Sequence, residues 1–159
     1  MTPTRLVVGF VAGFLSVLTF QSTLIALLYA AGAIPFAPWR MTPVPPFGVP
    51  QSLSAAFWGG LWGVAYALLE PRLTARLGWW TGGLAFGAVL PVLVLWFVVL
   101  PLKGQPVGGG FAPPSRVLLT VVIHAVFGLG TAILFRFGLR LAHRRAPVSP
   151  APLSDRPRG

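Results

Sequence analysis

Long apolar stretches separated by short polar segments dominate the chain. Four of these stretches are long enough for a helix to cross a bilayer, which takes about 20 apolar residues, and they cover residues 6–34, 52–69, 77–100 and 115–139. The pattern predicts an all-α, integral membrane four-helix bundle over residues 1–142. Because the apolar core of a signal peptide has only about 7–15 residues, we expect the first stretch to be a span rather than a cleaved leader.

The segments between the spans differ in kind. Residues 35–50 contain six prolines and predict an irregular outer loop, which we expect to fold as a lid onto the outer face. Residues 70–76 predict a short inner turn between the second and third spans. Residues 101–114 contain three consecutive glycines, which allow unusual φ values. Residues 143–159 are rich in proline and arginine and predict a disordered basic cytoplasmic tail.

The distribution of cations predicts the orientation of the chain. Membrane proteins carry an excess of arginine and lysine in their cytoplasmic loops. With four spans, the N-terminus, the inner turn and the tail share one side, and that side holds nine of the twelve cations. The three others are Arg40, Lys103 and Arg116. We therefore expect both termini to lie in the cytoplasm.

The composition excludes several classes of protein. Of the 159 residues, 55% are hydrophobic and only 9% are charged, too few to cover the surface of a soluble domain. The absence of cysteine excludes disulfides, thiolate nucleophiles and thiolate-bound metals. The net charge of +10 reflects basic membrane flanks and not nucleic-acid binding. Abundant Arg, Ala, Gly and Pro indicate a GC-rich genome, from which we infer a bacterial inner-membrane protein.

Small residues recur at helical spacing in every span. They predict helix packing, because small side chains let helix backbones approach closely in a membrane; a glycine-lined conduit is the alternative. The candidate packing positions are Gly9, Gly13, Gly60, Gly63, Gly83, Gly87 and Gly128.

The two halves of the chain share a short pattern. A shift of 65 residues places Trp62-Gly63-x-x-x-Ala67-x-Leu69 on Phe127-Gly128-x-x-x-Ala132-x-Leu134. Because each half has two spans, such a repeat predicts a parallel duplication of a two-helix hairpin about an axis along the membrane normal.

His124 is the most unusual residue within a span. Polar groups at this depth are costly and usually face the protein interior, and Thr120 lies one helical turn away on the same face. The imidazole suits three roles: a hydrogen bond that locks two helices, a proton or ligand relay, or a metal or haem ligand. Gln21 lies at a similar depth in the first span and is its candidate partner. These three residues form the candidate intramembrane polar site.

No catalytic constellation accompanies His124. The sequence has no phosphate-binding loop, no zinc-protease motif, no nucleophile elbow and no paired carboxylates. Glu70 ends the second span, roughly 15 Å in depth from His124 at about 1.5 Å per residue, which argues against an acid–base pair. We therefore expect no catalytic residues, no metal and no cofactor.

One resemblance concerns the C-terminal half. The run Pro101-Leu102-x-Gly104-x-Pro106 closes the third span, and a face with histidine and glycine follows in the fourth. In these features the chain resembles small bacterial inner-membrane proteins of the YagU type. The resemblance implies an inner-membrane location and carries over no catalytic residue.

Three functions are compatible with these patterns. The first is a non-enzymatic accessory or structural protein that acts through helix–helix contacts with a second copy or another membrane protein. The second is a small oligomeric transporter or channel with a polar path near Gln21, Pro91 and His124. The third is a membrane enzyme acting on a lipid or quinone, with His124 as base. The lipid bilayer is the partner common to all three, and the missing catalytic partners favour the first.

Overall fold

Four long helices form the fold of the computed structural model, which describes residues 2–111 and 113–144. Helix α1 spans Pro3–Ala30, α2 Gln51–Leu77, α3 Trp79–Leu102 and α4 Pro114–Arg144, and each is long and apolar enough to cross a membrane. The predicted all-α class, with four helices long and apolar enough to span a membrane, is thereby confirmed, and the helices support a multi-pass membrane protein. Residues 145–159 of the predicted tail lie outside the described residues, whereas His143 and Arg144 belong to α4.

The connection between α2 and α3 is shorter than the sequence pattern predicts. Helix α2 continues through residues 70–76, including Pro71, and ends at Leu77. Gly78 alone separates the two helices, with a φ of 80° that other residues rarely adopt. The charged residues remain helical here because glutamate and arginine are good helix formers.

Two of the helices contain a π-helical turn in the half that leads to the loops at residues 31–50 and 103–113. The turns cover Val17–Gln21 in α1 and Leu95–Val99 in α3. A π turn inserts one residue into the helical register. In α1 the insertion buries Ser22, whose hydroxyl donates to the carbonyl oxygen of Val17 at 2.8 Å, while Gln21 is only partly buried.

The proline-rich loop folds back beside α1. It contains a two-residue antiparallel pairing of β1, Pro43–Val44, with β2, Val49–Pro50. The indole N–H of Trp39 donates to the carbonyl oxygen of Leu18 at 2.9 Å. Leu18 lies twelve residues before the end of α1, or about 18 Å along the helix. The loop therefore lies along the C-terminal half of α1 and does not only cover its end.

The same loop caps the first turn of α2. The backbone N–H of Gln51 donates to the carbonyl oxygen of Thr42, and that of Ser52 donates to the carbonyl oxygen of Arg40, both at 3.0 Å. The first N–H groups of a helix have no partner within the helix. The loop supplies acceptors for two of these N–H groups.

The four helices pack as a ring in chain order. Helices α1 and α2 form one close pair and α3 and α4 form another, and the pairs meet through α1 against α4 and α2 against α3. Across the ring α2 barely touches α4, and α1 does not approach α3 within the described residues. The core contains residues from all four helices: Ala12, Val17, Ala56, Tyr66, Ala67, Phe86, Phe127, Ala132 and Phe135.

Candidate functional site

The crossing of α1 and α2 is built from glycines. A Cβ atom added to Gly9 would lie 2.6 Å from the carbonyl oxygen of Gly63, and one added to Gly13 would lie 2.9 Å from the Cα atom of Gly63. Gly59 also faces Gly13 across this crossing. Backbones this close leave no room for a side chain, so van der Waals contact between the two main chains holds the pair together.

The crossing of α3 and α4 repeats this arrangement. A Cβ atom added to Gly83 would lie 2.6 Å from the Cβ atom of Ala132, and one added to Gly87 would lie 2.8 Å from the Cα atom of Gly128. Gly87 also packs against the backbone carbonyl of His124. Thus the main chain of His124 contributes to this crossing.

The two crossings correspond residue by residue. A Cβ atom added to Gly63 would lie 2.9 Å from the backbone nitrogen of Gly13, and one added to Gly128 would lie 2.7 Å from that of Gly87. The glycines of α2 and α4 are related by the 65-residue shift found in the sequence, and those of α1 and α3 by a shift of 74. The two shifts differ because the loop inside the first pair is the longer one.

The contacts between the two pairs show the same correspondence. A Cβ atom added to Gly138 of α4 would meet Val8 of α1, and one added to Gly82 of α3 would meet Leu73 of α2. The shift of 74 places Val8 on Gly82, and the shift of 65 places Leu73 on Gly138, so the two contacts are equivalent. The relationship therefore extends over both kinds of helix interface.

Six of the seven predicted packing glycines lie at the backbone crossings. Gly60 instead receives the ring of Phe10, with its added Cβ 2.6 Å from that ring. Its neighbour Gly59, which is not among the seven predicted positions, takes part in the crossing. The adjacent glycines 59 and 60 fit two different helical stripes, and only the packing partner distinguishes them.

The predicted polar residues do not form an interhelical network. Nδ1 of His124 lies 2.8 Å from the carbonyl oxygen of Thr120 on the same helix, and the hydroxyl of Thr120 donates to the carbonyl oxygen of Arg116 at 2.9 Å. Within residues 2–111 and 113–144, the side chain of Gln21 makes no hydrogen bond. The side chains of His124 and Thr120 thus each bond to a backbone carbonyl one turn earlier in α4.

Ser16 provides a buried hydrogen bond between helices. Its hydroxyl donates to the carbonyl oxygen of Phe127 in α4 at 2.7 Å, and Thr131 donates to the same oxygen at 2.9 Å. In the sequence, the feature that points to Ser16 is its position one turn after Gly13, on the same helix face as Gly9 and Gly13. A small hydroxyl residue on a close-packed face reaches a neighbouring backbone more easily than a long amide does.

Aromatic rings fill the centre of the ring of helices. Tyr66 is fully buried, with its ring centroid 5.2 Å from that of Phe86 and 5.7 Å from that of Phe135. Both contacts are edge-to-face, the geometry that aromatic rings favour. The space around Tyr66 in a single copy is therefore filled by side chains.

A network containing the sole acid among the described residues lies at the arginine-rich end. The guanidinium of Arg5 donates to Glu70 at 2.9 Å, and its carbon lies 5.2 Å from the ring centroid of Phe135. The hydroxyl of Thr74 donates to the other oxygen of Glu70 at 3.1 Å. The partner of Glu70 is therefore Arg5, the first cation of α1, and not the arginines that follow Glu70 in the sequence.

An open cleft of about 460 Å³ lies next to this network. It is lined by Glu70, Arg136, Leu139, Arg140, His143 and Arg144. The guanidinium carbon of Arg136 lies 5.2 Å from the ring centroid of Trp79, the first residue of α3. None of His124, Thr120 and Gln21 lines this cleft, and the described residues contain no group of three metal-ligating side chains.

Comparisons with known proteins identify no relative. No protein-family model, curated protein or solved structure matches the chain. The resemblance to YagU-type proteins therefore stays a prediction from the sequence.

Proposed function

We propose that this protein is a non-enzymatic accessory or structural protein of the bacterial inner membrane that holds a second copy or another membrane protein against its lateral surface. The proposal rests on the observation that the small-residue faces of the helices are already packed against each other within one copy. The crossing glycines pack inside one copy, and aromatic side chains fill the centre. The surface that faces outward carries many large apolar side chains.

The outward surface offers aromatic contacts for such a partner. Phe57 and Trp58 on α2 are 50% and 61% exposed, and Phe97 on α3 is 55% exposed. Aromatic side chains provide large contact areas at low entropic cost, and their edges also suit the membrane interface. Contacts with a partner would use these rings, since the glycine faces are already occupied.

Both termini lie in the cytoplasm in this proposal. Arg5, Arg136 and Arg140 gather at one end of the bundle, as the ion pair with Glu70 and the cleft indicate. Basic residues favour the cytoplasmic side. The chain has no cysteine, so a single introduced cysteine is an unambiguous label.

Labelling in intact cells tests this orientation. The exposed positions Ala75 and Gln105 lie at opposite ends of the bundle, and replacing either with cysteine leaves all charges in place. We expect a membrane-impermeant maleimide to label Gln105→Cys in intact cells and Ala75→Cys only after permeabilisation. The reverse pattern would contradict the proposed orientation.

We also propose that the two helix pairs arose by duplication of a two-helix hairpin. The equivalence of Gly63 with Gly128 and of Ala67 with Ala132 supports it, together with the matched contacts between the pairs. Two hairpins of the same orientation would be related by an axis along the membrane normal.

Photo-crosslinking in native membranes tests the accessory function. A photoreactive amino acid replaces Trp58 or Phe97 in turn, and the matched control carries it at buried Phe86. We expect one of the exposed positions to give a discrete protein adduct and the control to give none. Adducts with lipid alone at every exposed position would contradict the proposal. Flux of a solute through reconstituted vesicles would favour the transporter instead.

A further inference from the structure

The geometry points to a binding site for the phosphate headgroup of an anionic phospholipid in the cleft lined by Glu70, Arg136, Leu139, Arg140, His143 and Arg144. This site goes beyond the proposed function, because it requires neither a protein partner nor a particular orientation of the chain.

The charge of the cleft is positive, and no carboxylate among the described residues compensates it. Its only carboxylate, Glu70, already accepts hydrogen bonds from Arg5 and Thr74. Glu70 is also the only acidic side chain within residues 2–111 and 113–144. The guanidinium groups of Arg136, Arg140 and Arg144 therefore have no carboxylate partner in that part of the chain.

The three arginines form a stripe on one face of α4. They lie four residues apart, so Arg136 and Arg144 are separated by about 12 Å along the helix. Arg136 is positioned over the ring of Trp79, where α3 begins. Helix α4 continues two turns beyond that point, and Arg140 and Arg144 are exposed there.

The position of the stripe favours a lipid as the source of phosphate. Trp79 marks the level at which apolar helix meets headgroups, since tryptophan is enriched at that interface. Leu139 gives the cleft an apolar side for the glycerol and first methylenes. Guanidinium groups bind phosphate through two parallel hydrogen bonds. Basic clefts between membrane helices bind anionic headgroups in this way.

Native mass spectrometry of the full chain tests the site. The protein is released from nanodiscs made of equal parts phosphatidylcholine and phosphatidylglycerol, and retained lipids are counted. We expect retention of phosphatidylglycerol over phosphatidylcholine. The double variant Arg140→Gln/Arg144→Gln should weaken this retention at least about tenfold, because both guanidinium groups would lose their charge-assisted hydrogen bonds to the headgroup phosphate.

The matched control removes the same charge at the same end of the bundle. Arg72→Gln/Arg76→Gln alters the exposed arginines of α2, and we expect it to weaken retention less than about threefold, because long-range charge effects are screened. Equal losses in both variants would overturn the proposal in favour of a diffuse charge effect. No loss in the cleft variant would overturn it outright.

Two further arms separate the remaining explanations. Arg140→Lys/Arg144→Lys keeps the charge but loses the planar geometry, and we expect an intermediate loss. This variant also tests the site if the glutamine variant fails to fold. Inorganic phosphate is added as a second probe, and we expect it to leave the lipid bound. Displacement of phosphatidylglycerol by inorganic phosphate would show a free-phosphate site and overturn the assignment to lipid.

Discussion

Gly63 and Gly128 occupy the same position in the two helix pairs. Each packs against two glycines of its partner helix: the earlier glycine presents its carbonyl oxygen and the later one presents its backbone nitrogen. The residue one turn later is alanine in both helices, and each alanine touches the earlier of the two glycines. Close approach of two backbones at matched points gives both pairs the same packing geometry.

Replacing either glycine with alanine should destabilise the protein by a similar amount. Gly63→Ala and Gly128→Ala each place a methyl group against a main chain that cannot move aside, and we expect a loss of about 2–3 kcal/mol in the free energy of unfolding. Unfolding by sodium dodecyl sulfate in mixed micelles measures it. Gly138→Ala is the control, since its methyl meets only the side chain of Val8. A large loss at one crossing only would argue against their equivalence.

The polar residues of α1 should differ in their effects. Ser16→Ala removes the hydrogen bond to the carbonyl oxygen of Phe127, and we expect a loss of about 0.6–1 kcal/mol, the usual range for such bonds in membranes. Gln21→Leu should change the free energy of unfolding by less than about 0.5 kcal/mol, because its side chain is only partly buried. The same micelle titration compares the two. A larger loss for Gln21→Leu than for Ser16→Ala would contradict this prediction and would mean that Gln21 has a hydrogen-bond partner outside the helix packing described above.

The ion pair between Arg5 and Glu70 should stabilise the arginine-rich end. The Glu70 side chain is 14% exposed, so we expect Glu70→Gln to lower the free energy of unfolding by about 1–2 kcal/mol. In a double-mutant cycle with Arg5→Gln, the losses should be less than additive. Arg76→Gln, at an exposed position, is the control and should be neutral within about 0.5 kcal/mol. Additive losses would mean that the pair contributes nothing as a pair.

The hydrogen bond from Trp39 to Leu18 should restrain the proline-rich loop. Trp39 has a φ of 46°, which is rare for a bulky residue and persists only when its surroundings hold it. Trp39→Phe keeps a ring but removes the donor, and we expect tryptic cleavage after Arg40 to accelerate several-fold. Quantifying that peptide by mass spectrometry measures the effect. The control Phe47→Leu changes a ring that is 86% exposed and should leave cleavage unchanged.

Several features of the site depend on contacts that sequence spacing does not contain. The positions of the glycines indicated packing faces, yet whether glycine 59 or 60 enters the crossing depends on where α1 lies. The π turn at Val17–Gln21 adds one residue to the register, so an ideal helical wheel places Gln21 where Ser22 is buried. The pairing of Arg5 with Glu70 likewise depends on the axial position of α1 relative to α2.

The sequence by itself determined the all-α class and the four helices long and apolar enough to span a membrane, and it pointed to six glycines that lie at the helix crossings. These properties follow from local composition, since a bilayer imposes a fixed apolar length and requires backbone hydrogen bonds within each helix. Only the tertiary structure decided which faces meet, which polar groups bond across helices and which arginines share a cleft. Those outcomes depend on the register between helices distant in sequence, which is set by close contact of side chains and backbones.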